Sequence, residues 1–244
     1  PAILGVNNGA AFFVVCGISF FQMSTAREYI WFALAGALAT AVFVLGIGSM
    51  GRGGASPLKL VLAGAATSAA LSSLVTAVLI PRLNAMEEFR FWQAGSVGAG
   101  TWDSFFLLLP FLLIGLVAAV ISAPAMNALA LGDETATGLG VKTAFMRYVA
   151  ALAGVILCGA VTAVAGPIGF VGLLSAHVIR ALLGPDVRVL VPMSALAGAV
   201  ILTVSDVAGR LIGRPGELEV GVLTAFIGAP LLIILAMKAK VRAV

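Results

Sequence analysis

Apolar residues run in stretches of about 20 along the whole chain, each closed by short polar or Gly/Pro-rich punctuation. Eight such stretches predict membrane-crossing helices at residues 9–21, 29–47, 58–80, 104–121, 148–165, 168–183, 189–211 and 220–237. Between the third and fourth lies an amphipathic stretch, 83–102, with Glu87, Glu88 and Arg90 beside Phe89, Phe91 and Trp92, a mixture that suits the headgroup region. Between the fourth and fifth lies the most polar segment, 127–147. A transmembrane barrel would alternate apolar and polar residues over segments of about ten, and 150–165 has no such alternation. Gly and Pro at segment edges predict short, broken or half-helices, tolerated where protein or a cavity satisfies the backbone. The predicted fold is an all-α polytopic membrane bundle, with 1–244 as one transmembrane domain.

Composition agrees with this pattern. Charged residues make up 10% of the chain and hydrophobic ones 61%, with a mean hydropathy of +1.16. A soluble domain carries about a quarter charged residues. The 29 glycines and only two tyrosines fit helices whose backbones approach closely. The net charge of +4 does not indicate nucleic acid, because the positive residues sit in loops and at helix ends. Cys16 and Cys158 lie in apolar segments without metal-like spacing and read as packed small residues. Pro1 to Gly5 has no initiator Met, charged n-region or cleavage site, so it reads as the interior of something longer and not as a signal peptide.

Charge also predicts orientation. With an even number of crossings, Arg52, Lys59, Lys142, Arg147, Arg180, Arg188 and the tail with Lys238, Lys240 and Arg242 share one side. The other side has a more balanced set, including Arg214, Glu217 and Glu219. The positive-inside rule assigns the first side, with segment 127–147, to the cytoplasm.

Three places carry candidate chemistry. In Leu131-Gly132-Asp133-Glu134-Thr135-Ala136-Thr137-Gly138-Leu139-Gly140, the glycine ends predict a short helix over 133–137 between apolar flanks. It reads either as a rigid knob for a soluble partner or as an ordinary surface loop, and lacks the Lys-Ser/Thr pair of a phosphate loop. His177, the sole histidine, lies three residues before Arg180; interface capping is the reading preferred over a proton relay, and one histidine makes a poor metal site. Asp206 and Arg210 are four apart on one helix face, so mutual pairing is preferred over an ion-coupling carboxylate. No nucleophile, base and orienting group converge, and no metal site or enzyme is expected.

Several blocks, in order, resemble the permease subunit of bacterial ABC importers for ferric siderophores, haem and cobalamin. They are Ile3-Leu4-Gly5-Val6-Asn7-Asn8-Gly9-Ala10; Leu129 to Val141; Gly166-Pro167-Ile168-Gly169-Phe170-Val171-Gly172-Leu173, the most specific; and Pro215-Gly216-Glu217-Leu218 with Gly228-Ala229-Pro230. A departure is Ala176, where the family commonly has Pro before its His. The resemblance implies helices three to ten of a ten-helix permease fold, with the first two absent from this chain. Phe91-Trp92-Gln93-Ala94-Gly95-Ser96 and Arg214-Pro215-Gly216-Glu217-Leu218 look most like permeases for catecholate siderophores.

The same resemblance implies a second permease subunit, two cytoplasmic ATPases that hold ATP and Mg, and an extracytoplasmic binding protein, with no cofactor on this chain. It makes segment 127–147 the ATPase-coupling region, through Leu131, Gly132, Asp133, Glu134, Thr135, Gly138, Leu139 and Gly140. It places Ser56, Pro57 and Leu58 near the inner gate and makes Arg210 or Arg214 candidates to receive a carboxylate of the binding protein. Beside it stand an ion-coupled secondary transporter using Asp206 or His177, a permease for haem or cobalamin, and a membrane scaffold without cargo.

Overall fold

The computed structural model describes residues 5–21, 23, 25–50, 57–81, 83–98, 100–214, 216 and 218–241. Ten helices follow one another among them: α1 (Val6–Phe21), α2 (Ala26–Ser49), α3 (Pro57–Leu79), α4 (Leu83–Ala94), α5 (Trp102–Leu129), α6 (Asp133–Gly138), α7 (Thr143–Ala165), α8 (Val171–Leu183), α9 (Val187–Ile212) and α10 (Val220–Val241). The eight predicted crossings correspond in order to α1, α2, α3, α5, α7, α8, α9 and α10, while α4 and α6 come from the amphipathic and polar stretches. Five helices are long and apolar enough to cross a membrane, and three shorter apolar ones are Val6–Phe21, Val171–Leu183 and Val220–Leu231.

Three boundaries differ from expectation. The fourth crossing continues through Pro124 to Leu129 instead of stopping near residue 121. A proline removes one backbone donor, but leaving the helix in an apolar environment would strand several more groups, so continuing is cheaper. The amphipathic stretch is helical only to Ala94, where Gly95 turns left-handed at φ 77°. The sixth crossing starts at Val171, not 168, because Gly166 (φ 75°) and Phe170 (φ 66°) take left-handed backbone around Pro167. With 13 residues, α8 is about 20 Å long, shorter than a hydrocarbon core of roughly 30 Å.

The chain forms two compact units. The first comprises Pro1–Gln93, Ala99–Ala119 and Arg147–Pro167; the second comprises Ala94–Gly98, Val120–Met146 and Ile168–Val244. In the first, α1, α2 and α3 pack on one another around Val6, Val14, Val15, Ile30 and Phe89. The α1–α2 approach depends on glycine: a Cβ on Gly36 would overlap the Gly9 carbonyl, and one on Gly9 would meet Thr40 Oγ1 and lie 2.6 Å from the Gly36 carbonyl. Such small-residue contacts bring helix backbones together where lipid offers no hydrophobic drive. Several polar groups inside this unit are paired. Trp92 Nε1 donates to the Ala163 carbonyl at 3.2 Å, Asn8 Nδ2 to the Ser68 carbonyl at 3.0 Å, and Cys158 Sγ to Asn7 Oδ1 at 3.2 Å.

In the second unit, α8, α9 and α10 pack together. Phe170, held at positive φ ahead of α8, fills the space over Gly228 of α10, where an added Cβ would lie 2.5 Å from the Phe170 Cβ. The strained backbone therefore aims a ring at a position that only glycine leaves open.

Candidate functional site

The polar segment folds as a projecting helical turn. After α5 ends, Leu131 N–H donates to the Ala128 carbonyl and Gly132 N–H to Leu129, so the turn stays bonded to the end of α5. Gly132 then takes φ 106° at the N-cap of α6. At the other end Gly140 (φ 79°) donates to the Thr137 carbonyl at 2.9 Å and Val141 to Ala136 at 3.0 Å. This is the Schellman ending, which requires a left-handed residue just after the helix. Ala136 alone is buried in α6. Asp133 and Glu134 occupy the first turn, where the helix dipole favours them.

Leu131 and Leu139 flank this turn with 68% and 65% of their surface exposed. Thr135 and Gly138 between them are also exposed. No atom lies within 4 Å of where side chains on Gly132, Gly138 or Gly140 would begin. The turn is thus rigid in its own bonds, open around its rim, and apolar at both corners.

A second construction sits beside it in the same unit. Asn127, in the last turn of α5, accepts the Val187 N–H on Oδ1 at 2.8 Å and donates Nδ2 to Asp186 Oδ1 at 2.6 Å. Asp186 is the N-cap of α9 and also accepts the Arg188 N–H at 2.9 Å. The Asn127 hydrogen bond, then that from the Arg188 backbone and the nearby Arg188 charge, hold the Asp186 carboxyl below its usual range. Asp186, an N-cap residue type just ahead of an apolar run, is a legible start signal for α9, whereas nothing about Asn127 in the sequence names its partner.

At the far end of α9, Arg210 Nε bonds Asp206 Oδ2 at 2.9 Å, the pairing their spacing predicts. The Arg210 guanidinium also lies against Gly98, where a Cβ would be 2.7 Å from Nη2. Arg214 is exposed in the turn beyond α9. His177 is exposed, its Nδ1 lies 2.8 Å from the Leu173 carbonyl of its own helix, and Arg180 occupies the last turn of α8. Leu58, near the start of α3, is exposed. Ser56, the side chain of Pro57, and Pro215 and Glu217 lie outside the described residues. Among the described residues no three His, Cys, Asp or Glu side chains form a metal-holding group.

The first unit adds a feature that sequence reading missed, a cleft of about 160 Å³ lined by Asn8, Ser72, Thr76, Phe89 and Gln93, with room for several waters.

The order of these parts meets a family pattern. The model of the FecCD transport family matches residues 1–238. The chain belongs to the FecCD transport family. Over 194 residues it is 42% identical to the ferric enterobactin transport system permease protein FepD of Escherichia coli, covering 79% of this chain and 58% of that protein. It is 40% identical over 192 residues to the iron(3+)-hydroxamate import system permease protein FhuB of Bacillus subtilis, covering 79% and 50%. One solved structure, an inward-facing conformation of a metal-chelate type ABC transporter, matches with a TM-score of 0.84 at 29% identity, covering 98% of this chain and 76% of that one. The chain therefore spans little more than half the length of the curated relatives it matches. As a FecCD family member it has the all-α ABC permease fold and is a multi-pass protein of the cytoplasmic membrane.

Proposed function

We propose that this FecCD chain is the membrane permease of an ATP-driven importer that carries a ferric siderophore, with the catecholate class favoured. The observation that carries the reading is the α6 turn, a rigid projection with two exposed leucines that nothing in the bundle requires. Such a projection suits a groove on a soluble motor subunit. In this reading Leu131, Gly132, Asp133, Glu134, Thr135, Gly138, Leu139 and Gly140 couple the permease to a partner ATPase, which holds ATP and Mg. The chain itself is non-catalytic and acts with a second permease subunit and an extracytoplasmic binding protein. Ser56, Pro57 and Leu58 stand as inner-gate residues, and Arg210 and Arg214 as docking positions for carboxylates of the binding protein. His177, Arg180 and Asp206 have structural or interface roles.

The catecholate preference draws on the 42% identity to a ferric enterobactin permease protein and on the Phe91 to Ser96 block. An ion-coupled transporter would need Asp206 or His177 to take up an ion or proton; Asp206 is bonded by Arg210, and His177 lies 2.8 Å from the Leu173 carbonyl of its own helix, which opposes both. Uptake into membrane vesicles by the full-length protein tests the reading. Transport that requires ATP and the loaded binding protein, and survives collapse of the ion gradient, is the expected result. Transport driven by the gradient alone would overturn it. A panel of ferric catecholates, ferric hydroxamates, haem and cobalamin on the binding protein tests the cargo class.

A further inference from the structure

We infer that Asn127 and Asp186 form the clasp through which movement of the α6 turn reaches α9, making both positioning residues for coupling; this rests on the reading of α6 as the ATPase-docking element. A helix N-terminus is ordinarily capped by its own N-cap residue, and Asp186 already does this for α9 through the Arg188 N–H. The additional partner, Asn127, comes from 59 residues away in sequence and bonds both the cap carboxylate and the Val187 N–H.

The amide fits in only one orientation. Nδ2 must face the carboxylate and Oδ1 the N–H, since the reverse would oppose acceptor to acceptor and donor to donor. Two converging bonds, one charge-assisted, define both distance and rotation between the end of α5 and the start of α9. On its other side Asn127 is tied to the α6 turn. Ala130 donates to Met126, Leu131 to Ala128, and Gly132 to Leu129, so the turn and the last turn of α5 form one bonded piece.

Beyond the clasp, α9 runs 26 residues, about 39 Å, with Asp206 and Arg210 near its other end. Pro192 interrupts the backbone ladder in the second turn of α9, so the amide acts on the first turn of α9. Packing of α9 on α8 and α10 continues from there toward the Arg210 end.

The test uses the full-length permease assembled with its ATPase in proteoliposomes, and reads ATP hydrolysis with and without ferric-chelate-loaded binding protein, per assembled complex. Asn127→Asp sets two carboxylates against each other. It is expected to retain basal hydrolysis while losing about fivefold or more of the stimulation, the lower end of typical coupling between sites. Asp186→Asn keeps an oxygen for both donors and is expected to retain most stimulation. Asn127→Ala removes both bridging bonds without adding a charge, leaves the Asp186 cap on the Arg188 N–H in place, and is expected to lose stimulation to a similar extent.

Wild-type stimulation in Asn127→Asp would overturn the clasp. So would wild-type stimulation in Asn127→Ala. Should Asn127→Asp fail to assemble, Asn127→Ala carries the test, because it removes the bridge without adding a charge. A wild-type complex without cargo-stimulated hydrolysis would overturn the importer reading, and this inference with it.

Discussion

Replacing Leu131 or Leu139 by Asp tests whether the α6 turn is a docking element. Full burial of a leucine side chain is worth about 1.5–3 kcal/mol. Leu131 and Leu139 are 68% and 65% exposed, so roughly two thirds of that, about 1–2 kcal/mol each, is still available to a partner. Losing both would weaken docking by about 30- to 1,000-fold, before the cost of desolvating an aspartate is added. Because neither leucine is buried in the bundle, folding stability should change by no more than about 0.5 kcal/mol. The contrast is therefore large and sits in association, not in assembly of the membrane part. The assay is co-purification of the full-length permease with its ATPase, together with cargo-stimulated ATP hydrolysis. Asp133→Asn and Glu134→Gln serve as controls, since exposed charges contribute 1 kcal/mol or less, by about the usual range. Full association with normal stimulated turnover in either leucine variant would refute the role given to that residue.

Three further outcomes follow from the geometry. Gly140→Ala should lower thermal stability by about 1 kcal/mol through its left-handed backbone, whereas Gly138→Ala, in helical backbone and open space, should be neutral or raise it by about 0.5–1 kcal/mol; unfolding midpoints in detergent distinguish them. Gly36→Ala drives a Cβ into the Gly9 carbonyl and to 2.8 Å from the Phe13 Cβ, so it should cost about 1–3 kcal/mol, read as a lower midpoint and increased protease sensitivity. For Asp186 the folded carboxyl titrates below its usual value, so its contribution is complete above the unfolded value of about 3.9 and is lost as pH falls through the folded one. The stability gap between wild type and Asp186→Ala should therefore stay constant above about pH 5 and close below about pH 4; a gap that closes toward alkaline pH would contradict the sign.

The bundle was legible because each crossing is a long apolar run with a Gly or Pro boundary. The α6 turn was legible because Gly132 and Gly140 bracket one helical turn, and the Asp206–Arg210 pair because spacing of four is a local property. Two boundaries turn on how proline acts beside its surroundings. α5 passes Pro124, since an apolar surround penalises every alternative backbone state more. At α8 the balance reverses, because two left-handed residues and a proline act together and the helix waits until Val171. Asn127 was illegible for a different reason. Its function depends on which helix start lies opposite, and no periodicity encodes a partner 59 positions away. The same holds for the Asn8–Ser72 cleft, whose residues look like ordinary small polar substitutions in apolar helices.

The fit of Phe170 over Gly228 has a consequence for how such chains can change. A ring carried on a rare backbone shape and a gap left by a missing methyl are two halves of one lock. Enlarging position 228 first would press a methyl into the Phe170 Cβ and ring, while shrinking position 170 first would lose the contacts of a half-buried ring over the buried Gly228. Each single step leads downhill in fitness for folding, so the pair is a ratchet that permits exchange only when both residues change together, or when stability gained elsewhere carries the intermediate.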